Sequence, residues 1–114
     1  MNELDAHLLV VDDDERIRSL LKKFLMRNGF LVSTARDAAH ARRVLAGLEF
    51  DLIVLDVMLP DINGKEVCTL VRSQKAMNDV QIICISGMVE TDKIQELRDA
   101  GANDFMKKPF DVEE

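Results

Sequence analysis

The chain has 114 residues, which is long enough for one domain with a full hydrophobic core. Hydrophobic residues make up 47% of it and charged residues 32%, which excludes a disordered chain, and the net charge of −6 argues against autonomous nucleic-acid binding. The first residues are polar and acidic, unlike a secretory leader, and no apolar stretch approaches the ~18 residues that span a membrane, so we expect a cytoplasmic protein without a membrane partner.

Strands and helices alternate along the sequence. Unbroken apolar runs predict strands that are buried on both faces, and apolar residues spaced three and four apart predict helices. The predicted strands are 7–12, 30–34, 51–56, 80–86 and 104–107. The predicted helices are 15–28, 37–48, one that begins after Asn63 as its N-cap, and 91–100. Short links between alternating elements indicate an α/β domain with a doubly wound, five-stranded parallel sheet.

Carboxylates follow two of the predicted strands. Asp12 and Asp13 come after the first strand, and Asp56 ends the third. The carboxyl ends of parallel strands share one edge of the sheet, where ligands collect. Two carboxylates ~5 Å apart repel by roughly 3 kcal/mol at an effective dielectric of ~20, so three of them need a cation, a shared proton or water. The simplest interpretation is a divalent-metal site with Asp56 placed for chemistry, although 12–14 alone would suit an acidic helix N-terminus.

Four motifs occur in order at the predicted strand ends. They are Leu9-Val10-Val11-Asp12-Asp13, Leu55-Asp56-Val57-Met58-Leu59-Pro60-Asp61-Ile62-Asn63-Gly64, Ile85-Ser86-Gly87 and Asp104-Phe105-Met106-Lys107-Lys108-Pro109-Phe110. Together they resemble the receiver domain of two-component response regulators, over essentially the whole chain. The resemblance implies one receiver domain over residues 1–114, with a flavodoxin-like sheet of strand order 2-1-3-4-5.

The resemblance also implies a role for each acid. Asp56 would be the phosphoacceptor, which takes a phosphoryl group from a sensor histidine kinase or a phosphotransfer protein. Mg²⁺ would be bound directly by Asp13, by Asp56 and by the backbone carbonyl of Met58, and through water by Asp12. A carboxylate is a weak nucleophile, so the site must help by placement and by neutralising charge.

Three further residues would respond to the phosphoryl group in such a domain. Lys108 would contact a phosphoryl oxygen as a compact charge, and Ser86 would donate its hydroxyl to another. Phe105 matches the family's switch aromatic and would swing inward when Ser86 moves. The implied function is a phosphorylation-controlled signalling switch rather than an enzyme. Its fourth helix and fifth strand would form the surface that controls an output domain or a second receiver in a homodimer.

Two functions of other classes are alternatives. An aspartyl-nucleophile phosphatase or phosphotransferase generally has a second acid two residues after the nucleophile, and Met58 stands there instead. A flavodoxin-like cofactor-binding module would need a phosphate loop rich in serine, threonine and glycine after the first strand, where this chain has three acids. Both alternatives therefore fit the sequence less well than the switch.

Met58 and Met88 lie two residues beyond Asp56 and Ser86, at positions that flank the phosphoryl group in receivers. Neither side chain can hold a water in line with Asp56, so we expect a phosphorylated form that is long-lived for a receiver. We expect the final helix of the family, which would begin at Asp111, to be truncated or absent. A bare sheet face would cost on the order of 10 kcal/mol, so we expect either association through that face or a longer protein.

The remaining expectations are structural. Cys68 and Cys84 lack the spacing of metal ligands and predict two reduced thiols. His7 and His40 match no receiver function, and we expect His40 on a solvated helix face. The second helix is expected to turn Leu48 inward together with its other apolar residues.

Overall fold

In the computed structural model of the chain, residues 6–56, 64–73, 79–86 and 91–107 are described. The five strands are β1 His7–Val11, β2 Leu31–Ala35, β3 Leu52–Asp56, β4 Gln81–Ser86 and β5 Asp104–Lys107. The four helices are α1 Glu15–Arg27, α2 Ala38–Gly47, α3 Gly64–Arg72 and α4 Thr91–Ala100. Each predicted boundary lies within one residue of the observed one. None of the described helices is long and apolar enough to cross a bilayer.

The strands form one parallel sheet in the order β2-β1-β3-β4-β5, as predicted. From β1 the chain first adds β2 on one side, and it then adds β3, β4 and β5 on the other side. The direction of strand addition therefore reverses between β1 and β3. Such a reversal opens a crevice at the carboxyl ends of the two strands, which is where open α/β sheets bind ligands. Val11 is the register partner of Leu55, so the residues that follow them, Asp12 and Asp56, lie at the same level at the carboxyl edge of the sheet.

Two apolar clusters cover the two faces of the sheet. The larger cluster packs α2, α3 and α4 against the sheet, and the smaller one packs α1 against the opposite face. Neighbouring β1 residues alternate between the clusters, as expected for side chains of a strand. The fully buried members of the larger cluster include Leu9, Val11, Ile53, Leu55, Val67, Val71 and Ile82. The smaller cluster consists of Val10, Leu21, Val54 and Ile85, with partly buried neighbours.

The prediction for Leu48 is wrong, because this side chain is 47% exposed. The α2 helix ends at Gly47, and Leu48 is extended, with φ −137° and ψ 152°. It therefore leaves the helical stripe that turns Ala41 and Leu45 into the core. The predicted N-cap Asn63 and the segment 108–114, in which the final helix would begin, lie outside the described residues, so both expectations stay predictions.

Arg72 fastens the end of α3 to the turn between α4 and β5. Its guanidinium donates hydrogen bonds to the carbonyl oxygens of Val80 at 2.7 Å and Gly101 at 2.8 Å, and to Asn103 Oδ1 at 2.7 Å. The same Asn103 oxygen accepts from the backbone N–H of Ile82 at 2.9 Å. Gly101 ends α4 with φ +120°, a conformation that L side chains rarely adopt. This cluster fixes where β5 enters the sheet.

Candidate functional site

Asp12, Asp13 and Asp56 meet at the crevice between β1 and β3. One carboxylate oxygen from each lies within 4.8 Å of the others. Asp12 is fully buried and Asp56 is 4% exposed, whereas Asp13 faces solvent. The three acids predicted to share the edge of the sheet are therefore together, and the cluster opens to solvent on the side of Asp13.

The turn after β1 places these acids through its own hydrogen bonds. The backbone N–H of Asp12 donates to the carbonyl of Ala35 at 3.1 Å, which carries the β1–β2 ladder one residue further. The guanidinium of Arg18 donates to the carbonyl of Asp12 at 2.7 Å, and the backbone N–H of Asp14 donates to Asp12 Oδ1 at 2.9 Å. Hydrogen bonds to the backbone N–H and to the carbonyl of Asp12 therefore fix this turn just before α1 begins.

Asp14 belongs to the helix rather than to the acid cluster. It is the N-cap of α1, and its carboxylate accepts from the backbone N–H of Arg16 at 2.9 Å. Side-chain and backbone hydrogen bonds from Arg16 lower the pKa of the Asp14 carboxyl. The acidic triplet therefore has two uses: Asp12 and Asp13 join Asp56, and Asp14 caps the helix.

The donor set fits a small divalent cation. Carboxylate oxygens are the hard ligands that Mg²⁺ and Ca²⁺ prefer, and two of the three groups here are buried. At separations near 5 Å each pair of ionised carboxylates repels by roughly 3 kcal/mol at an effective dielectric of ~20, and a cation between them removes this cost. The cluster could therefore hold a metal ion. The carbonyl of Met58 lies outside the described residues.

The other predicted site residues follow β4 and β5. Ser86 ends β4, and its backbone position pairs with Lys107 on β5. Asp56 pairs with Ile85, so the backbone of Ser86 lies one residue beyond the partner of Asp56. Lys108 follows β5 directly but, like Met58 and Met88, lies outside the described residues. The sheet thus brings the backbone at Ser86 to the edge that carries the acids.

Phe105 lies on β5, partly buried against the larger apolar cluster. The guanidinium carbon of Arg98, on α4, is 4.9 Å from the centroid of the Phe105 ring. This is within the range of a cation–π contact. No pattern in the sequence indicates the contact, because it joins a helix to the next strand across a turn.

The two histidines have structural partners. His40 is half-buried, and its Nδ1 accepts from the backbone N–H of Arg36 at 3.2 Å, so its side chain is partly solvated and also has a structural partner. Its position follows from the start of α2, where its own N–H donates to Asp37 Oδ1 at 2.7 Å. Burial and the nearby Arg36 guanidinium lower the pKa of His40. The ring of His7 bonds Ser33 Oγ at 2.9 Å.

Cys68 and Cys84 are free and buried in the larger cluster. A hydrogen bond with Cys68, together with burial, raises the pKa of the Cys84 thiol. A protonated, buried thiol is a poor nucleophile, so Cys84 belongs to the core.

A cleft of about 310 Å³ lies at the other end of the sheet, where β3 and β4 begin. Its walls are formed by Glu49, Phe50, Asp51, Asp79 and Val80. Since these residues precede β3 and β4 rather than follow them, the cleft is separate from the carboxylate cluster.

Comparison with known proteins gives a consistent result. Residues 8–114 match the sequence model of the response regulator receiver domain. The chain is 52% identical over 114 residues to Protein PetR of Rhodobacter capsulatus, covering 100% of this chain and 47% of PetR. It is 41% identical over 109 residues to the transcriptional regulatory protein TcrA of Mycobacterium tuberculosis, covering 96% of this chain and 42% of TcrA.

Among solved structures, the chemotaxis protein CheY4 of Vibrio cholerae superimposes with a TM-score of 0.91 at 32% sequence identity. That match covers 96% of this chain and 91% of CheY4. The chain spans about half the length of the curated relatives PetR and TcrA.

Proposed function

Because the chain belongs to the response regulator receiver domain family, we propose that Asp56 is the phosphoacceptor of a phosphorylation-controlled signalling switch. The position of Asp56 supports this most strongly. It is buried at the end of β3, beside the crevice where the strand order reverses, and oxygens of Asp12 and Asp13 lie within 4.8 Å of its own. Residues 1–114 would act as one receiver domain, without turning over a substrate as an enzyme does.

The reaction is a phosphoryl transfer to Asp56. The phosphorus–nitrogen bond of a phosphohistidine, on a sensor histidine kinase or a phosphotransfer protein, breaks as a carboxylate oxygen of Asp56 forms an acyl phosphate. Placement and charge neutralisation carry such a transfer, because little covalent work falls to the protein. The sheet supplies placement: β3 presents Asp56 at the crevice, and the turn after β1 holds Asp12 beside it.

Asp13 and Asp56 would bind Mg²⁺ directly, together with the carbonyl of Met58, and Asp12 would bind it through water. Held by these residues, Mg²⁺ would supply positive charge to offset the negative charge on the transferring phosphoryl oxygens. The exposed position of Asp13 suits a ligand that a hydrated cation meets first, while Asp12 and Asp56 form the buried floor of the site.

Phosphorylation would replace the Asp56 carboxylate by a phosphoryl group of about −1.5 to −2 charges, next to the carboxylates of Asp12 and Asp13. Lys108 would contact a phosphoryl oxygen with its ammonium group, and Ser86 would donate its hydroxyl to another. Phe105 would then move, and the surface of α4 and β5 would change. Its target would be an output domain or a second copy of the chain, in the cytoplasm and without direct nucleic-acid or membrane contact through this domain.

Beryllofluoride, a stable mimic of the phosphoryl group, tests the proposal in the presence of Mg²⁺. The amide resonances of β4, α4 and β5 should shift in the parent chain and stay unchanged in Asp56→Asn. Asp14→Asn is the matched control, since Asp14 carries the same charge but caps α1. A full response in Asp56→Asn, or none in the parent, would contradict the proposal.

A further inference from the structure

A contact between Arg98 and Phe105 joins α4 to β5. The guanidinium carbon of Arg98 is 4.9 Å from the centroid of the Phe105 ring. Arg98 is exposed, and no carboxylate of the described residues pairs with it. The ring is therefore the partner that the structure gives to this charge.

The sheet register connects this contact to the site. Phe105 is the register partner of the buried Cys84, and Cys84 lies two residues before Ser86 on β4. Two residues of a strand span about 6.6 Å. Ser86 therefore lies about 6.6 Å along β4 from the position that pairs with Phe105, and the exposed Arg98 guanidinium lies over the Phe105 ring.

We propose that Arg98 is a positioning residue for the switch, which holds the Phe105 ring in its resting position. The inference rests on the proposed function, because it concerns the ring that is proposed to move. The attraction needs the ring face within about 6 Å of the cation, and a ring that moves into the core leaves the exposed guanidinium behind. Arg98 therefore favours the resting state, and the phosphorylated state has to overcome this contact.

Loss of Arg98 should therefore make switching easier. An exposed cation–π contact is worth about a two- to fivefold change in an equilibrium. A ligand that binds the moved state gains in apparent affinity by the factor by which the population of that state rises. We expect Arg98→Leu to lower the beryllofluoride concentration at half-saturation by about two- to fivefold, and Arg98→Lys, which keeps a weaker cation, to lower it less.

Three variants serve as controls. Arg42→Leu removes the same charge from an exposed position on α2, far along the chain from the ring. Phe105→Leu removes the ring, and the pair Arg98→Leu with Phe105→Leu completes a double-mutant cycle. Leucine is a good helix former, so both arginine variants should keep their helices.

Nuclear magnetic resonance on the full chain gives both required measurements. Without any activator, the side-chain protons of Arg98 should be shifted upfield by the ring current in the parent and not in Phe105→Leu. With Mg²⁺ and increasing beryllofluoride, half-saturation should move in Arg98→Leu and not in Arg42→Leu. In the Phe105→Leu background, Arg98→Leu should not change the beryllofluoride concentration at half-saturation any further.

The outcomes separate the two proposals. A parent chain that responds to beryllofluoride, with equal half-saturation in Arg98→Leu and Arg42→Leu, would overturn the role of Arg98 and leave the proposed function intact. The role of Arg98 would also be overturned if its side-chain protons showed no upfield ring-current shift in the parent chain without activator. A parent chain that shows no response at all would overturn the proposed function, and the role of Arg98 with it.

Discussion

Replacing Gly101 by alanine should destabilise the protein more than the addition of a single methyl group would suggest. Gly101 has φ +120°, and a Cβ atom built there lies 2.5 Å from Cγ and 2.8 Å from Nε of Arg72. The strained backbone costs about 1–2 kcal/mol for an L residue. Displacing Arg72 weakens charged hydrogen bonds, each worth about 1.5–3 kcal/mol, to Val80, Gly101 and Asn103. We expect a total loss of about 3 kcal/mol, a large share of the ~5–15 kcal/mol of a typical domain.

Urea unfolding followed by circular dichroism measures this loss, and two other glycines calibrate it. Gly29 has φ +92° but no atom within 4 Å of a Cβ, so Gly29→Ala should cost only the backbone term of about 1–2 kcal/mol. Gly47 ends α2 with open space around it, so Gly47→Ala should stabilise by about 0.5 kcal/mol. If Gly101→Ala costs no more than Gly29→Ala, the contact with Arg72 is not a constraint and the reasoning fails.

Three further predictions concern the site and its surroundings. Asp13→Asn should weaken Mg²⁺ binding in a calorimetric titration far more than Asp14→Asn, because Asp14 caps α1; equal losses would mean that the ligand assignment is wrong. Met58→Asn combined with Met88→Glu should speed loss of the phosphoryl group, since both new side chains can orient water; an unchanged decay would disprove shielding by methionine. The pKa of His40 is lower when folded than when unfolded, so the free energy of unfolding should fall as the pH drops below about 6.5, and by less in His40→Gln; identical pH profiles would exclude this contribution.

The order of elements could be predicted because β1, β3 and β4 each contain an unbroken apolar run of four residues. The run that ends at Asp56 is buried on both faces, as expected for a central strand of a parallel sheet with helices on both sides. The acids at the ends of two such runs were therefore expected at the carboxyl edge of the sheet, and Asp12 and Asp56 lie together there. These features depend on local pattern and on the general rule for parallel sheets, which is why sequence alone sufficed.

The exact end of a helix and the contacts of single long side chains could not be predicted in this way. Leu48 fits the spacing of α2, but the helix ends one residue earlier and turns it outward. The guanidinium of Arg72 reaches Gly101 across the packing of α3 and α4, and that of Arg98 reaches Phe105 across a turn. A long flexible side chain on a helix has several partners within reach, and its choice depends on tertiary positions that no periodicity encodes.

The site of phosphorylation is the most direct test. The chain is incubated with acetyl phosphate and Mg²⁺, borohydride reduces the acyl phosphate to homoserine with release of phosphate, and the position of the homoserine, which marks the phosphorylated residue, is found by mass spectrometry. A single phosphoryl group on Asp56, absent from Asp56→Asn, is the expected result, since Asp56 is the buried acid at the end of the central strand. An adduct on Asp12, Asp13 or Asp61 would contradict the assignment of Asp56.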